Sequence, residues 1–342
     1  MELLPEPTAA ALAELSGADF ERALAALDPH AVWYPPNVAS RPFSLSRSLG
    51  GIGAELEVSG GRAWLLPRQG APLAAVGFFD RAELLSVDGH SVAGLDADAI
   101  AGLLRGESGT RVRLLLTQRD GRHRYDVRLV RERTRPLDVE LWQIGDASVL
   151  RITDFVAGRT RTALATTLAQ LPSDSGRVVI DLRYAGGGDL YEAIDAAGLL
   201  VEPGTVLGSL NAREGAPVIL RSASNFATSR EWILLVGPST ASAAEIFAGI
   251  LRYHQRALLV GQRTFGKCHS QTERRLGDGS TLRFTNREVL LPDGTSCSGN
   301  GLDPDVRVSD DVLWDLEQVL RSLPPQSDPV DPAPASTATD GG

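Results

Sequence analysis

Between residues 133 and 322, short apolar runs, small-residue turns and helical stretches follow one another. This alternation constrains the fold more than any other feature of the chain. Ser148 to Ile152 reads as a strand, Arg159 to Leu171 as a helix and Val178 to Leu182 as a buried strand. The turn Asp181-Leu182-Arg183-Tyr184-Ala185-Gly186-Gly187-Gly188 then opens a helix over Leu190 to Leu200. Trp232 to Val236 is another strand, and it feeds Gly237-Pro238-Ser239-Thr240-Ala241-Ser242-Ala243-Ala244-Glu245-Ile246 and an apolar run to Leu251. Strands alternating with helices place the region in the α/β class. A hairpin is expected after Lys267, turning at Gly277-Asp278-Gly279-Ser280.

The rest of the chain divides around this core. Residues 1–47 read as a small helical segment, with apolar residues at helical spacing over Thr8 to Leu15 and Ala18 to Leu27. Ser16 and Asp19 serve as start or cap signals. Leu27-Asp28-Pro29-His30 and the pair Pro35-Pro36 end the helix and begin extended chain, with His30 a structural turn residue. Residues 48–132 resemble a PDZ domain. Leu49-Gly50-Gly51-Ile52-Gly53 matches its carboxylate-binding loop, in which successive backbone N–H groups form a nest for an anion. Leu84 to His90 reads as strand and tight turn, Ala97 to Leu104 as an amphipathic helix and Arg111 to Gln118 as a strand. Residues 323–342 are rich in proline, serine and aspartate without apolar periodicity, and read as a disordered tail.

Composition excludes several classes of function. The net charge of −9, from 34 basic and 43 acidic residues, has no like-charged block, so nothing recommends nucleic acid as a partner. No run of about 18 apolar residues suggests a membrane span. The start Met1-Glu2-Leu3-Leu4-Pro5-Glu6-Pro7 is acidic and proline-broken, unlike a signal peptide. Cys268 and Cys297 are expected as two buried thiols, a single bridge being open to them in an oxidising compartment. With no Cys/His ligand spacing, neither a metal nor a cofactor is expected.

Ser242 and Lys267 carry the chemistry. A serine at a small-residue turn that opens a helix suits a nucleophile, once a base takes its proton. A lysine becomes that base when desolvation lowers its pKa. Lys267 sits in Thr264-Phe265-Gly266-Lys267-Cys268, with no acidic residue in sequence nearer than Glu273. Ser242-Ala243-Ala244-Glu245 is also a capping box, and local pattern alone leaves that alternative open. Spacing favours catalysis. The chain resembles the C-terminal processing (tail-specific) proteases, peptidase family S41, whose nucleophile lies in an S-A-S-A-x-E-like turn. Their lysine follows 25 residues later in a T-F-G-K-G element, the separation found here.

The resemblance implies a multidomain α/β (α+β) architecture: helical segment 1–47, PDZ domain 48–132, S41 core 133–322 of the crotonase/Clp-protease type, and tail 323–342. It implies a serine endopeptidase with Ser242 as nucleophile, Lys267 as general base and Gln271 holding the lysine amine. Ala243 and Gly187 would supply the oxyanion donors, with Gly186 the second choice for the glycine. Gln271 as an ordinary strand residue and the glycine cluster as a mere strand-to-helix turn remain alternatives. Substrates would be proteins or peptides with free C-termini, bound at Leu49, Gly50, Gly51, Ile52 and Gly53. Two departures stand out: Cys268 replaces the family's glycine, and Phe78-Phe79-Asp80-Arg81 replaces its usual Gly-Asp. They support the competing reading, a non-catalytic peptide-binding scaffold. The family is mostly exported, so the sequence either lacks a removed export signal or belongs to a cytoplasmic member. His254 lies 12 residues beyond Ser242, roughly 18 Å along a helix. His269 is set aside on the expectation that it faces away from Lys267.

Overall fold

The computed structural model describes residues 17–28, 31–35, 49–118, 123–133, 137–171, 177–211, 216–223 and 231–323. A six-stranded sheet underlies the α/β region, in the order Glu140–Ile144, Ala147–Arg151, Arg177–Asp181, Trp232–Val236, Ala257–Gly261 and Val306–Arg307. The first pair is antiparallel and the others are parallel. Parallel neighbours need crossover connections. Helices Thr160–Ala169, Leu190–Gly198 and Ala243–Tyr253 supply three of them. The first two are shorter at the edges than the sequence periodicity suggested, as helix ends fray, and the third runs two residues beyond Leu251.

Successive strand residues face opposite sides of the sheet. Leu150, Ile180 and Leu234 therefore pack with Phe247 on one side. Val149, Val179 and Leu235 pack on the other with Leu316, Val319 and Leu320, from the helix Leu316–Ser322. A run such as Trp232–Val236, apolar at every position, is what a sheet buried on both faces requires.

A second sheet joins Ala54–Ser59, Arg62–Pro67, Ala82–Val87, Arg111–Thr117 and Arg124–Val130. It has its own core, including Leu65, Leu84, Ile100, Leu114 and Leu116. Helix Ala97–Leu104 starts where Asp96 accepts the Ala99 N–H. It lies beside Ala54–Ser59, an edge strand.

The unexpected segment Phe78-Phe79-Asp80-Arg81 is the seam between this body and the α/β core. The Phe79 ring meets Trp142 edge-on at 5.7 Å. Asp80 accepts from both terminal nitrogens of Arg183 (3.1 and 3.3 Å), the Leu316 N–H (2.7 Å) and the Tyr184 hydroxyl. Arg183 is fully buried and also donates to Asp181, which takes Arg151 as well. Burial raises the Asp181 pKa, but the two guanidiniums outweigh it and hold the carboxyl far below its usual range. Charges this deep persist only when paired.

The third sheet carries the expected hairpin, His269–Arg275 with Thr281–Leu290. Its turn is fixed by Asp278, which accepts the Ser280 N–H at 2.9 Å. Val206–Asn211, Val218–Arg221 and the N-terminal strand Val32–Tyr34 complete the sheet. The expected helix over Ala18–Leu27 is present as Gly17–Leu27. The helix over Thr8 to Leu15, His30 and residues 324–342 of the tail lie outside the described residues. Among the described residues no helix is long and apolar enough to cross a membrane.

Cys268 and Cys297 correct the expectation of two thiols: they form a disulfide, with Cα atoms 5.3 Å apart. Cys297 lies in the closing turn that packs against the lysine element. There the Gly299 N–H donates to Gly266 O at 2.9 Å and the Leu302 N–H to the Thr264 hydroxyl at 2.7 Å. These contacts bring residues 29 apart in sequence together, which spacing alone did not reveal.

Candidate active site

Three turns converge at the C-terminal ends of the parallel strands. The Thr240 hydroxyl donates to Leu182 O at 2.8 Å, and the Ala241 N–H donates to Ala185 O at 2.9 Å. These bonds pin the serine turn to the glycine turn. The Phe265 N–H donates to Thr240 O at 3.0 Å and pins the lysine element to the same turn.

Ser242 stands at φ 57° and ψ −123°, just before helix Ala243–Tyr253. An ordinary N-cap lies in the extended region. Capping alone therefore does not account for this backbone, which costs about 1–3 kcal/mol unless its surroundings hold it. Glu245 does much of the holding. It is fully buried, and its carboxylate accepts the N–H groups of Ser242 (2.9 Å), Gly266 (2.7 Å) and Lys267 (2.8 Å), and the Thr264 hydroxyl. The capping glutamate of the sequence is thus also the tie between the serine turn and the lysine element.

The Lys267 amine donates to Gln271 Oε1 at 2.9 Å. Burial pushes its pKa down and the Arg283 charge adds to the effect, against an opposing pull from Asp28. Glu273, the nearest acid in sequence, is occupied by Arg283 at 2.8 Å. The acid that acts on Lys267 comes from the N-terminal segment, which sequence distance concealed. Among the described residues no hydrogen bond joins the Ser242 hydroxyl to the Lys267 amine. Such bonds are often loose in the free state and tighten around substrate.

Ala243 is the first residue of its helix and buried, and its N–H has no partner among the described residues. Gly187 faces it. A Cβ on Gly187 would lie 2.8 Å from Ser242 Cβ and 3.3 Å from Ala243 N, and the glycine holds φ 120°. Gly186 is exposed, and a Cβ there would meet nothing within 4 Å.

The histidines are engaged elsewhere. His254 Nε2 pairs with Val206 O at 2.8 Å, and His269 Nδ1 with Ser298 Oγ at 2.9 Å. Strand alternation was the wrong reason to set His269 aside, because residues two apart share a face. Its bond to Ser298 is the better one. Glu245, Cys268 and Cys297 form a cluster of potential metal ligands. The disulfide and the four donors on Glu245 leave it no ready ligand atom.

In the distant glycine loop, Gly50 pairs with Gly106, and the Gly51 N–H donates to Glu132 O at 2.9 Å. This corrects the expectation that Gly51 turns its N–H toward a carboxylate: the bond to Glu132 occupies it. The N–H groups of Ile52 and Gly53 have no partner among the described residues.

These elements define an S41-type peptidase core, and residues 146–308 match the model of peptidase family S41. The chain carries an S41 peptidase domain and is homologous to the CtpA carboxy-terminal processing proteases. It is 29% identical over 285 residues to the carboxy-terminal processing protease CtpA of Bacillus subtilis (strain 168), covering 82% of this chain and 60% of that protein. It is 32% identical over 263 residues to the "Probable CtpA-like serine protease" of Staphylococcus haemolyticus (strain JCSC1435), covering 76% and 52%. The chain therefore spans just over half the length of these relatives. The solved photosystem II D1 C-terminal processing protease is similar at TM-score 0.53 and 27% identity, over 88% of this chain and 84% of that one.

Proposed function

We propose that this chain is a serine endopeptidase that uses Ser242 and Lys267 as a catalytic dyad. It would cut proteins at or near C-termini bound by the 48–132 body acting as a PDZ domain. The observation that carries the reading is the join at Glu245: one buried carboxylate ties a strained helix-opening serine to a desolvated lysine. In this reading the Ser242 hydroxyl attacks the scissile carbonyl carbon while Lys267 takes its proton. The Ala243 and Gly187 N–H groups receive the charge that develops on the carbonyl oxygen. As the C–N bond breaks, Lys267 returns the proton to the leaving amine, and it then activates a water that releases the acyl group. Gln271 keeps the amine directed.

For the 48–132 body, the support is the open edge of Ala54–Ser59 beside helix Ala97–Leu104, the surface on which a peptide adds as a strand. Ile52 and Gly53 are the donors left for its terminal carboxylate. The seam at Asp80 connects that surface with the Arg183–Gly187 turn.

Casein hydrolysis by purified protein tests the dyad. Ser242→Ala and Lys267→Arg should both be inactive with unchanged circular dichroism, because guanidinium stays protonated and cannot accept the serine proton. Turnover by Lys267→Arg would remove the general-base role. Paired peptides ending in acid or amide test the second site, and equal affinity would count against carboxylate recognition.

A further inference from the structure

The N-terminal segment has a place in the machinery that its sequence did not announce. Helix Gly17–Leu27 runs into Asp28, whose N–H donates back to Leu24 O at 2.9 Å. The chain then forms the strand Val32–Tyr34, which pairs with Thr281–Arg283. Phe20 packs edge-on against Trp33 at 5.9 Å, and the Arg283 guanidinium lies 5.2 Å from the Tyr34 ring centroid. Asp28 is thereby held against the catalytic hairpin.

Its carboxylate accepts the Thr285 N–H at 2.7 Å and the Thr285 hydroxyl at 3.2 Å. Thr285 is the register partner of Gln271, and the strand shifts register between Ser270 and Gln271. Such bulges re-aim side chains at the cost of local pairing. Gln271 is the residue that takes the Lys267 amine. The strand pairs of Val32–Tyr34 end at Arg283, so Asp28 supplies the next anchor along that edge of Thr281–Leu290.

We infer that Asp28 is a positioning residue for the general base: by clamping Thr285 opposite the bulge it fixes Gln271, and through it the Lys267 amine. The inference rests on the Ser242–Lys267 reading. It assigns the segment before the PDZ-like body a part in catalysis.

The charged groups that bear on Lys267 among the described residues are three. Arg283 comes from the hairpin and Asp28 from the N-terminal segment, while Glu245 meets the Lys267 N–H from its helix. Two substitutions separate position from charge. Asp28→Asn keeps an oxygen acceptor for the Thr285 N–H and removes the charge. Asp28→Ala removes both.

The experiment is the pH–rate profile of casein hydrolysis by the full chain, with Tm recorded for each variant. Asp28→Ala should lower kcat by roughly tenfold or more, since small misplacement of a reacting group is costly, with KM little changed. Asp28→Asn should lose less of kcat but move the rising limb to lower pH, because it removes a charge that favours protonated lysine. Asp19→Asn, on the exposed face of the same helix, should behave as wild type. A merely structural Asp28 would lower Tm without moving the limb. That result, or a wild-type kcat in Asp28→Ala, would overturn the inference. Should Asp28→Ala not fold, Thr285→Val, which removes the hydroxyl half of the clamp, decides by its kcat, a wild-type value overturning the inference. Active Ser242→Ala or Lys267→Ala would instead sink the dyad itself, a different failure.

Discussion

Gly187→Ala is the sharpest perturbation the geometry offers. The added methyl would sit 2.8 Å from Ser242 Cβ, 3.0 Å from Ala241 O and 3.3 Å from Ala243 N. The first distance is closer than carbon atoms tolerate, and the neighbours are backbone and the Ser242 side chain. The residue would also have to hold φ 120°, a strain of about 1–3 kcal/mol in such regions. Either the glycine turn retreats or the serine turn does. Both movements separate the Gly187 and Ala243 donors from the oxyanion they are proposed to share. Losing one such donor costs on the order of 10²–10³ in kcat, about 2.7–4 kcal/mol. Gly186→Ala is the internal control. Its position is open and exposed with ordinary φ, so stability should stay within about 0.5 kcal/mol and activity near wild type. The assay is casein hydrolysis at saturating substrate, with Tm and circular dichroism beside it. If Gly187→Ala keeps most of its kcat while Gly186→Ala is dead, the oxyanion assignment is wrong.

The pH dependence has a definite sign. In the proposed dyad Lys267 acts in its neutral form, and burial with Arg283 lowers its pKa, so the rate should rise with pH through a value below the usual lysine range. Arg283→Gln removes a repelling charge and should move that limb to higher pH, opposite to Asp28→Asn; no shift would discount the electrostatic account. The disulfide closes a loop of 29 residues, and chain entropy puts its contribution at about 3–4 kcal/mol. Reductant should therefore lower the wild-type Tm by several degrees but leave the Cys268→Ser/Cys297→Ser double variant unmoved. At 25 °C the reduced protein should still cut casein, because Glu245 goes on tying Lys267 to Ser242; complete loss would show that the covalent link, not the carboxylate, sets the site.

What the sequence made legible is what local pattern encodes. Trp232–Val236 and Ala97–Leu104 were readable to the residue because a buried apolar run and a short amphipathic helix declare themselves within one window. Ser242 and Lys267 were singled out by the small residues around them and by a 25-residue separation that matches the family they resemble. The joins were not. Glu245 looked like a cap, and its bonds to Gly266 and Lys267 cross a strand and two turns. Asp80 looked like a break in a familiar motif, yet its carboxylate reaches Arg183, 103 positions away in sequence. Asp28 bonds Thr285 across 257 positions.

These three acids share a physical logic. Each carboxylate accepts at least two hydrogen bonds, with at least one backbone N–H among them, so each fixes backbone as well as charge. A carboxylate used this way needs no helix or strand between the segments it joins, which is why no periodicity announces it. Glu245 joins Ser242 to Lys267, Asp28 joins the N-terminal segment to Thr285 opposite Gln271, and Asp80 joins the second body to the Arg183–Gly187 turn. Breaking a buried pair such as Asp80–Arg183 is more costly than its net worth, because the partner charge stays buried. Arg183 retains Asp181 when Asp80 is lost. The α/β core should therefore outlive the loss of that seam, and the consequence should fall on how the 48–132 body sits against the Arg183–Gly187 turn.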